Sequence, residues 1–216
     1  MRYWRAAKAR IAVVKPALWF RGSGRYWESR YASGGTSGVG SYGAQAEYKA
    51  SFLNAFVQDN NIRTVVEFGC GDGNQLRLAA YPSYLGCDVS RTAIRMCIEA
   101  FRGDGSKSFL YYEPDLFSDP ARFVRGDLGL SLDVIYHLIE DDVYERYMRG
   151  LFDASDRFVI LYATDAERRV AAPHVRHRVF TEWVATNATQ WRLVHVEPAP
   201  IAEYQNFYVF TRREAA

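Results

Sequence analysis

The sequence predicts an α/β protein with a doubly wound, mostly parallel sheet of seven strands and an antiparallel hairpin at its C-terminal end. Three observations support this fold class. Short apolar segments rich in β-branched residues alternate with helix-patterned segments from residue 44 to residue 163. A glycine-rich turn follows the first predicted strand directly. The last two predicted strands follow each other without a long helix between them, which favours antiparallel pairing.

The spacing of apolar residues gives the individual elements. Ala46, Ala50 and Leu53 recur at helical spacing and predict the first helix of the domain. Helices are predicted over residues 44–59, from about residue 74, and over 91–102, 142–152 and 181–188. Strands are predicted over residues 63–68, 84–88, 108–112, 127–133, 157–163, 191–196 and 207–211.

The turn after the first strand indicates a nucleotide site. Its sequence, over residues 64–74, is Thr-Val-Val-Glu-Phe-Gly-Cys-Gly-Asp-Gly-Asn. Glycine has no Cβ, so Gly69, Gly71 and Gly73 can take positive φ and let a ligand approach the backbone closely. A strand that runs into such a loop leaves free N–H groups facing a pocket.

Two departures from known phosphate loops narrow the type of nucleotide. The dinucleotide fingerprint needs a third glycine where Asn74 stands, and no Lys-Ser or Lys-Thr pair follows, as a P-loop requires. Glu67 lies two positions before the first glycine. An acid at that place suits a cationic or hydroxyl-rich ligand better than a pyrophosphate.

The second predicted strand ends in Asp88, one strand–helix–strand unit after Gly69. A carboxylate at that strand end can accept hydrogen bonds from both ribose hydroxyls. Alternatively, Asp88 caps the helix that begins near Arg91, a role that Ser90 can also fill. The combination with the glycine loop favours the ribose interpretation.

The pattern Glu67-x-Gly69-x-Gly71-x-Gly73 followed by Asp88 resembles the class I S-adenosylmethionine-dependent methyltransferase family, over roughly residues 40–212. The resemblance implies a Rossmann-like fold and S-adenosyl-L-methionine as the cofactor. Asp115 occupies the place of an acid that contacts the adenine amino group, although a solvated loop acid is the alternative. The implied cofactor-binding residues are Glu67, Gly69, Cys70, Gly71, Gly73, Asp88, Val89, Asp115, Leu116 and Leu132.

The segment 134–138, Val-Ile-Tyr-His-Leu, is similar to the turn that follows the fourth strand in many small-molecule members of that family. His137 is therefore our candidate general base for O-methylation, because an unperturbed histidine titrates near neutrality. A purely structural role in the turn is the alternative. Glu140, Asp141 and Asp142 follow, and together with His137 they could bind Mg²⁺, which prefers oxygen ligands. Acids are equally typical of the first turn of a helix, and because we favour that interpretation, we predict no metal site.

Loops after the fifth strand face the substrate in the family that the sequence resembles. Four positive or ionisable side chains lie there, and they can hold a phosphate or carboxylate of an anionic acceptor, or form a solvated basic loop. Tyr42 ends the glycine- and serine-rich segment 32–43 and is a further candidate. The predicted substrate-binding residues are Tyr42, His174, Arg176, His177 and Arg178.

The acceptor class follows from absences and from resemblance. A net charge of +2 carries no global nucleic-acid signature. The sequence lacks the Asn-Pro-Pro-aromatic motif of adenine methylases and the Pro-Cys nucleophile of cytosine methylases. We therefore predict a small-molecule or glycan acceptor and no nucleic acid. Segments 26–31, 32–43 and 132–137 resemble bacterial methyltransferases associated with surface-glycan synthesis, which implies a glycan precursor as one such acceptor.

The domain prediction separates residues 1–43, an arm and lid segment, from residues 44–216, the methyltransferase domain. Residues 1–25 hold seven lysines and arginines, interleaved with aromatic residues, and no acid. Such a segment can lie on anionic lipid, or it can be a helical arm packed on its own domain. Without a long apolar run or a metal-type cysteine spacing, we expect a cytoplasmic protein with at most peripheral membrane contact.

Two functions of other classes compete with methyl transfer. One is a nicotinamide-dependent oxidoreductase on a similar fold, against which Asn74 and the closing hairpin argue. The other is a partner subunit that keeps the fold without the reaction, against which the intact glycine loop and Asp88 argue.

Overall fold

A computed structural model describes residues 22–213 except 169, 171 and 203. The described residues form one seven-stranded sheet with the order β3-β2-β1-β4-β5-β7-β6. The first five strands are parallel, and β7 runs antiparallel to both of its neighbours, so the predicted fold class is confirmed. The strands are β1 Thr64–Phe68, β2 Ser83–Asp88, β3 Lys107–Tyr111, β4 Gly126–Leu132, β5 Ser155–Ala163, β6 Trp191–Pro198 and β7 Asn206–Arg212.

Five α-helices accompany the sheet in the part of the chain that the structure describes. They are α1 Ser23–Ala32, α2 Gly43–Asp59, α3 Arg91–Ala100, α4 Asp141–Asp153 and α5 Phe180–Asn187. The helix predicted from about Asn74 is wrong: a 3-10 turn, Gln75–Leu78, stands there instead. Pro82 disfavours helical backbone just before it, and the chain must re-enter the sheet at Ser83.

The central strands alternate their side chains between two buried faces. Val66 and Phe68 of β1 pack in the core on the side of α4 and α5, whereas Val65 packs on the side of α2 and α3. This alternation follows from the period of two along a strand. Because both faces are covered, β4 and β5 are apolar along most of their length.

Parallel strands β1, β2 and β4 all end at the same edge of the sheet, and this edge carries the functional site. The lid segment (residues 22–42), which contains α1, lies across it. Glu28 of α1 accepts hydrogen bonds from Ser90 Oγ at 2.6 Å and from Thr92 Oγ1 at 2.7 Å, which joins α1 to the start of α3. Helix α1 has no counterpart among the helices predicted from the sequence.

Residues 1–21 lie outside the described part of the chain, and so does most of the arm for which membrane contact was predicted. Within the described part, no helix is both long and apolar enough to cross a bilayer. The three cysteines are buried and free.

Candidate functional site

A cavity of about 760 Å³ opens at the carboxyl edge of the sheet. The ends of β1, β2 and β4 form its floor, the lid segment forms one wall, and the chain between residues 132 and 143 forms another. Open α/β sheets bind ligands at this edge because the loops diverge there and leave a crevice.

The glycine loop takes the backbone form that its sequence predicts. Gly69, Gly71 and Gly73 all have positive φ, at 85°, 58° and 74°. A Cβ on Gly69 would lie 2.5 Å from Cγ2 of Val134, and one on Gly71 would collide with Ser37 Oγ. Both glycines are therefore required by close packing as well as by φ.

Asp88 faces the cavity from the end of β2. Gly71 N–H donates to its Oδ2 at 2.9 Å, and Ser90 N–H donates to its Oδ1 at 2.8 Å. Ser90 Oγ, not Asp88, caps α3, because it accepts from Ala93 N–H at 3.0 Å. Burial raises the pKa of Asp88 to about 6. The structure thus brings this carboxylate against the glycine loop and leaves its remaining lone pairs to a ligand.

Glu67 lies beneath the loop at the end of β1. Tyr84 OH donates to its Oε2 at 2.7 Å, and burial raises its pKa to about 7. Cys70 follows in the loop, where a hydrogen bond with Cys97 and burial raise the pKa of its thiol. Glu67 is therefore the second buried acid of the cavity, and the thiol of Cys70 is held protonated.

The other predicted cofactor residues divide into two groups. Val89 and Leu132 line the cavity, and so does Asp115, although its carboxylate is exposed and pairs with Arg146. Leu116, by contrast, is 77% exposed and does not line the cavity. The prediction of Leu116 as a contact residue therefore has no support in the geometry.

His137 lies where the sequence placed it, in the 3-10 turn Ile135–His137 beside the cavity. Its Nδ1 lies 2.9 Å from the carbonyl oxygen of His174, and Trp27 of α1 meets its ring edge-on at 4.9 Å. A carbonyl only accepts, so Nδ1 carries the proton and Nε2 is left as an acceptor. Burial lowers the pKa of His137 to about 4. The expectation that His137 titrates near neutrality is therefore wrong, and its ring is neutral at that pH.

The residues after β5 that were predicted to bind the acceptor do not line this cavity. Arg178 donates to the carbonyls of Leu138 and Ile139 at 2.7 and 3.0 Å, and Arg176 donates to the Ile139 carbonyl at 3.1 Å. Both arginines also pair with Asp141. They brace the turn that carries His137, because its carbonyls lack partners within a regular helix or strand.

The remaining predicted acceptor residues have similar supporting positions. The His174 ring stacks on Tyr26 at 4.6 Å, and the His177 ring lies 5.4 Å from the ring of Tyr136. Tyr42 OH donates to Asp72 Oδ2 at 2.8 Å and does not line the cavity. Ser37 N–H donates to the same oxygen of Asp72 at 2.9 Å. Tyr42 therefore fastens the lid segment to the glycine loop.

Several cavity residues were missed by sequence reasoning. Those of the lid segment include Ser23, Trp27, Glu28 and Tyr31, and no local pattern in the sequence points to them. Lys49 and Asp133 also line the cavity and form an ion pair at 2.6 Å. Lys49 lies on the apolar face of α2, and a lysine at such a position is a sequence feature that could have indicated a special role. No group of metal-ligating side chains occurs among the described residues.

The fold has the form of the class I S-adenosylmethionine-dependent methyltransferases. No protein-family model and no curated protein matches the sequence. Solved structures match over most of the chain. The N-methyltransferase NodS from Bradyrhizobium japonicum WM9, in complex with S-adenosyl-L-homocysteine, is 15% identical with a TM-score of 0.69, covering 89% of this chain and 100% of that one.

Two further structures have the same fold. The magnesium protoporphyrin IX methyltransferase ChlM from Synechocystis PCC 6803, with bound S-adenosylhomocysteine, is 16% identical with a TM-score of 0.59, over 77% of this chain and 83% of that one. An S-adenosylmethionine-dependent methyltransferase from Clostridium acetobutylicum ATCC 824 is 12% identical with a TM-score of 0.58, over 76% and 90%. At these identities the similarity establishes the fold.

Proposed function

We propose that this chain is an S-adenosylmethionine-dependent methyltransferase that methylates an oxygen of a small molecule or a glycan precursor. One observation carries the proposal: Asp88 ends β2 in the cavity and is held against Gly71 of a loop whose glycines have positive φ. In this arrangement the Asp88 carboxylate faces the two ribose hydroxyls of the cofactor, and the backbone of the glycine loop faces its methionyl part.

The charge of the cavity argues against a nicotinamide dinucleotide. The described lining residues include eight carboxylates but only three lysines and arginines. S-adenosylmethionine carries a sulfonium and an ammonium against one carboxylate, whereas a dinucleotide brings a pyrophosphate with two negative charges. In addition, the Gly71 N–H already donates to Asp88, so it is not free for a phosphate oxygen. The acidic lining therefore favours the cationic cofactor.

His137 is the proposed base. In the transfer, the acceptor oxygen attacks the methyl carbon, the C–S bond breaks with its electron pair moving to sulfur, and the hydroxyl proton leaves the acceptor. The Nε2 lone pair of neutral His137 is available to receive that proton, since Nδ1 is bound to the carbonyl of His174. The lowered pKa makes the ring a weak base but keeps it unprotonated throughout the neutral range. Positioning of the hydroxyl then supplies much of the rate.

The proposed acceptor is neutral and hydroxylated. Arg176 and Arg178, which were expected to hold an anion, are bound to Asp141 and to backbone carbonyls. Both oxygen and nitrogen acceptors are named among structurally similar proteins, the N-methyltransferase NodS and the mitomycin 7-O-methyltransferase MmcR. Product analysis by mass spectrometry decides the methylated atom for this chain.

Peripheral membrane contact through residues 1–25 stays a prediction, tested by co-sedimentation of the full chain with anionic vesicles.

Calorimetry tests the cofactor assignment. S-adenosylmethionine and S-adenosylhomocysteine are expected to bind one per chain, and NAD is expected to give no heat. Methyl acceptors are then sought among neutral sugars and oligosaccharides, with sugar nucleotides as the anionic comparison, using cofactor labelled in the methyl group. Binding of NAD without binding of S-adenosylhomocysteine would contradict the proposal and favour a nicotinamide-dependent oxidoreductase. Binding of the cofactor with no transfer to any acceptor would favour the non-catalytic partner subunit.

A further inference from the structure

Strand β6 (Trp191–Pro198) lies at one edge of the sheet, where β7 is its one neighbour among the described strands. The backbone groups on its outer side therefore lack ladder partners in that part of the chain. Residues 192–196 of this strand are all exposed. At the opposite edge, β3 has one exposed residue, Ser108, and α3 packs against the strand. Of the two edges, β6 is thus the one open to another strand.

Three of the exposed residues of β6 are apolar. Leu193, Val194 and Val196 are 42%, 48% and 39% exposed. Leu193 lies opposite Phe210 of β7 and Val196 lies opposite Tyr208. Both of these β7 residues pack in the core on the side of α4 and α5, so Leu193 and Val196 share that face of the sheet. Apolar side chains in water along a sheet edge mark a surface suited to pairing with another chain.

A β-bulge brings the two apolar residues to one face. In a regular strand, residues three positions apart point to opposite faces, because side chains alternate. In β6 the register with β7 shifts between Leu193 and His195, which leaves Val194 out of the paired register. Leu193 and Val196 therefore lie two paired positions apart and point the same way.

The other face of β6 carries two opposite charges. Arg192 and Glu197 lie opposite Thr211 and Phe207, which share one face of β7. The Arg192 guanidinium has no ion pair with a described residue, and Glu197 pairs with His195 of its own strand at 3.1 Å. One face of the exposed strand is therefore apolar, and the other has a cation near its start and an anion near its end.

This arrangement is complementary to a second copy of itself in the antiparallel direction. When Arg192 of one copy lies opposite Glu197 of the other, Leu193 lies opposite Val196, and the two-fold axis passes beside Val194. Because of the bulge, each side chain then meets a partner on its own face. Opposite charges and apolar pairs both stabilise neighbouring strands, and the symmetry makes each contact twice. Such a two-fold contact uses the free edge of both copies, so it closes at a dimer.

We propose that β6 is a homodimerisation strand. Two copies of this chain pair their β6 strands antiparallel, with Arg192 opposite Glu197, and join their sheets into one. Pro198 ends the paired segment, because proline has no N–H for a ladder. No β6 residue is among the described residues that line the cavity, so the dimer leaves both cavities free. The proposal does not depend on the proposed function.

Sedimentation velocity tests the dimer. The full wild-type chain is expected to form a species of twice its own mass as its concentration rises. Leu193→Lys puts a charge on the apolar face and is expected to remove this species. Ile98→Lys makes the matched change at an exposed apolar residue of α3 and is expected to keep it. Circular dichroism checks the fold of each variant.

A charge exchange tests the register. Arg192→Glu and Glu197→Arg each put like charges opposite one another, and each is expected to weaken self-association by about 2- to 30-fold, the range for two cross-strand charge pairs. An equimolar mixture of these two variants restores both opposite-charge pairs, so it is expected to dimerise like the wild type. Arg102→Glu and Glu99→Arg make the same changes of net charge on the surface near the other edge, and they are expected to dimerise like the wild type alone and mixed.

A wild-type chain that stays monomeric at every concentration would overturn the proposal. A dimer that survives Leu193→Lys, a mixture that does not restore dimerisation, or assemblies that grow beyond a dimer would also overturn it. Calorimetry with S-adenosylhomocysteine is a separate readout: a dimer that does not bind this ligand would contradict the proposed function and leave the dimer intact.

Discussion

The strand ends and the lid segment build the same cavity by different means. At the strand ends, backbone ladders hold the binding groups: the N–H groups of Gly69 and Cys70 both donate to the carbonyl of Cys87, at 2.7 and 3.1 Å. The strands continue into a core in which Val66, Leu128 and Leu130 are fully buried. The start of the glycine loop is therefore held directly by the sheet.

The lid segment is held to the domain largely by side chains, and three carboxylates are central. Glu28 binds Ser90 and Thr92, Asp72 binds Ser37 and Tyr42, and Glu140 binds Ser23. A net intramolecular hydrogen bond contributes about 1 kcal/mol. We therefore expect the lid segment to lose its contacts without unfolding of the sheet, so that its mutations act on binding more than on stability.

The largest expected effect lies at His137, where the two regions meet. His137→Ala is expected to keep the affinity for S-adenosylhomocysteine and to lower kcat by about 10²–10⁴-fold, the usual contribution of a general base. Because burial lowers its pKa to about 4, its loss should leave the rate profile between pH 6 and 8 unchanged in shape. His195→Ala, at an exposed histidine of β6, is the control. Intact turnover with a lower Tm would make His137 structural.

Gly69→Ala breaks the strand-end region directly. The new Cβ meets Val134 at 2.5 Å in a backbone with φ of 85°. The left-handed conformation and overpacking together are expected to lower the free energy of unfolding by about 2–4 kcal/mol, with loss of S-adenosylhomocysteine binding. Gly103→Ala has a similar φ of 89° with nothing within 4 Å of the added Cβ, so denaturant unfolding of the pair isolates the close approach. Equal stability losses would contradict this explanation.

Asp88→Ala removes the ribose-binding carboxylate from the same region. Charge-assisted hydrogen bonds worth about 2–3 kcal/mol are lost, so the affinity for S-adenosylhomocysteine is expected to fall roughly 30- to 150-fold. Calorimetry measures it directly, with circular dichroism as the check on folding. A folded variant with unchanged affinity would contradict the assignment of Asp88 to the ribose hydroxyls.

The raised pKa of Asp88 adds a dependence on pH. The ionised form accepts the ribose hydroxyls, so affinity is expected to decline as pH falls through about 6, and Asp88→Asn should flatten that decline. The raised pKa of Asp88 affects the stability of the fold in the opposite direction: stability is greater at low pH, whereas affinity is greater at high pH. A folded pKa above the unfolded value of 3.8 stabilises the fold fully below pH 3.8, and this contribution is lost as pH rises through about 6.

The smallest expected effect belongs to the lid segment. Glu28→Gln weakens its hydrogen bonds to Ser90 and Thr92, and we expect an affinity loss of about 3- to 10-fold for S-adenosylhomocysteine with a nearly unchanged Tm. Glu99→Gln on α3, whose carboxylate is exposed, is the control. A Tm loss as large as that of Gly69→Ala would mean that the lid segment and the sheet unfold as one unit.

Local sequence was enough to predict the fold class, the strand segments, the glycine loop and the position of Asp88 at the end of β2. These features are local: β-branched runs form strands, and alternate glycines supply positive φ wherever the rest of the chain lies. His137 was also placed correctly beside the cavity, because its turn follows directly from β4.

The three-dimensional structure was needed to show which side chains share a site and which of them are charged. Ser23 and Glu140 bind each other across 117 positions, and Lys49 and Asp133 across 84, so neither pair leaves a local pattern. Burial lowers the pKa of His137, an effect of packing that composition does not encode. Arg178 looked free to bind an anion, but the fold supplies it with carbonyls of the turn 138–139, because buried backbone groups must find partners.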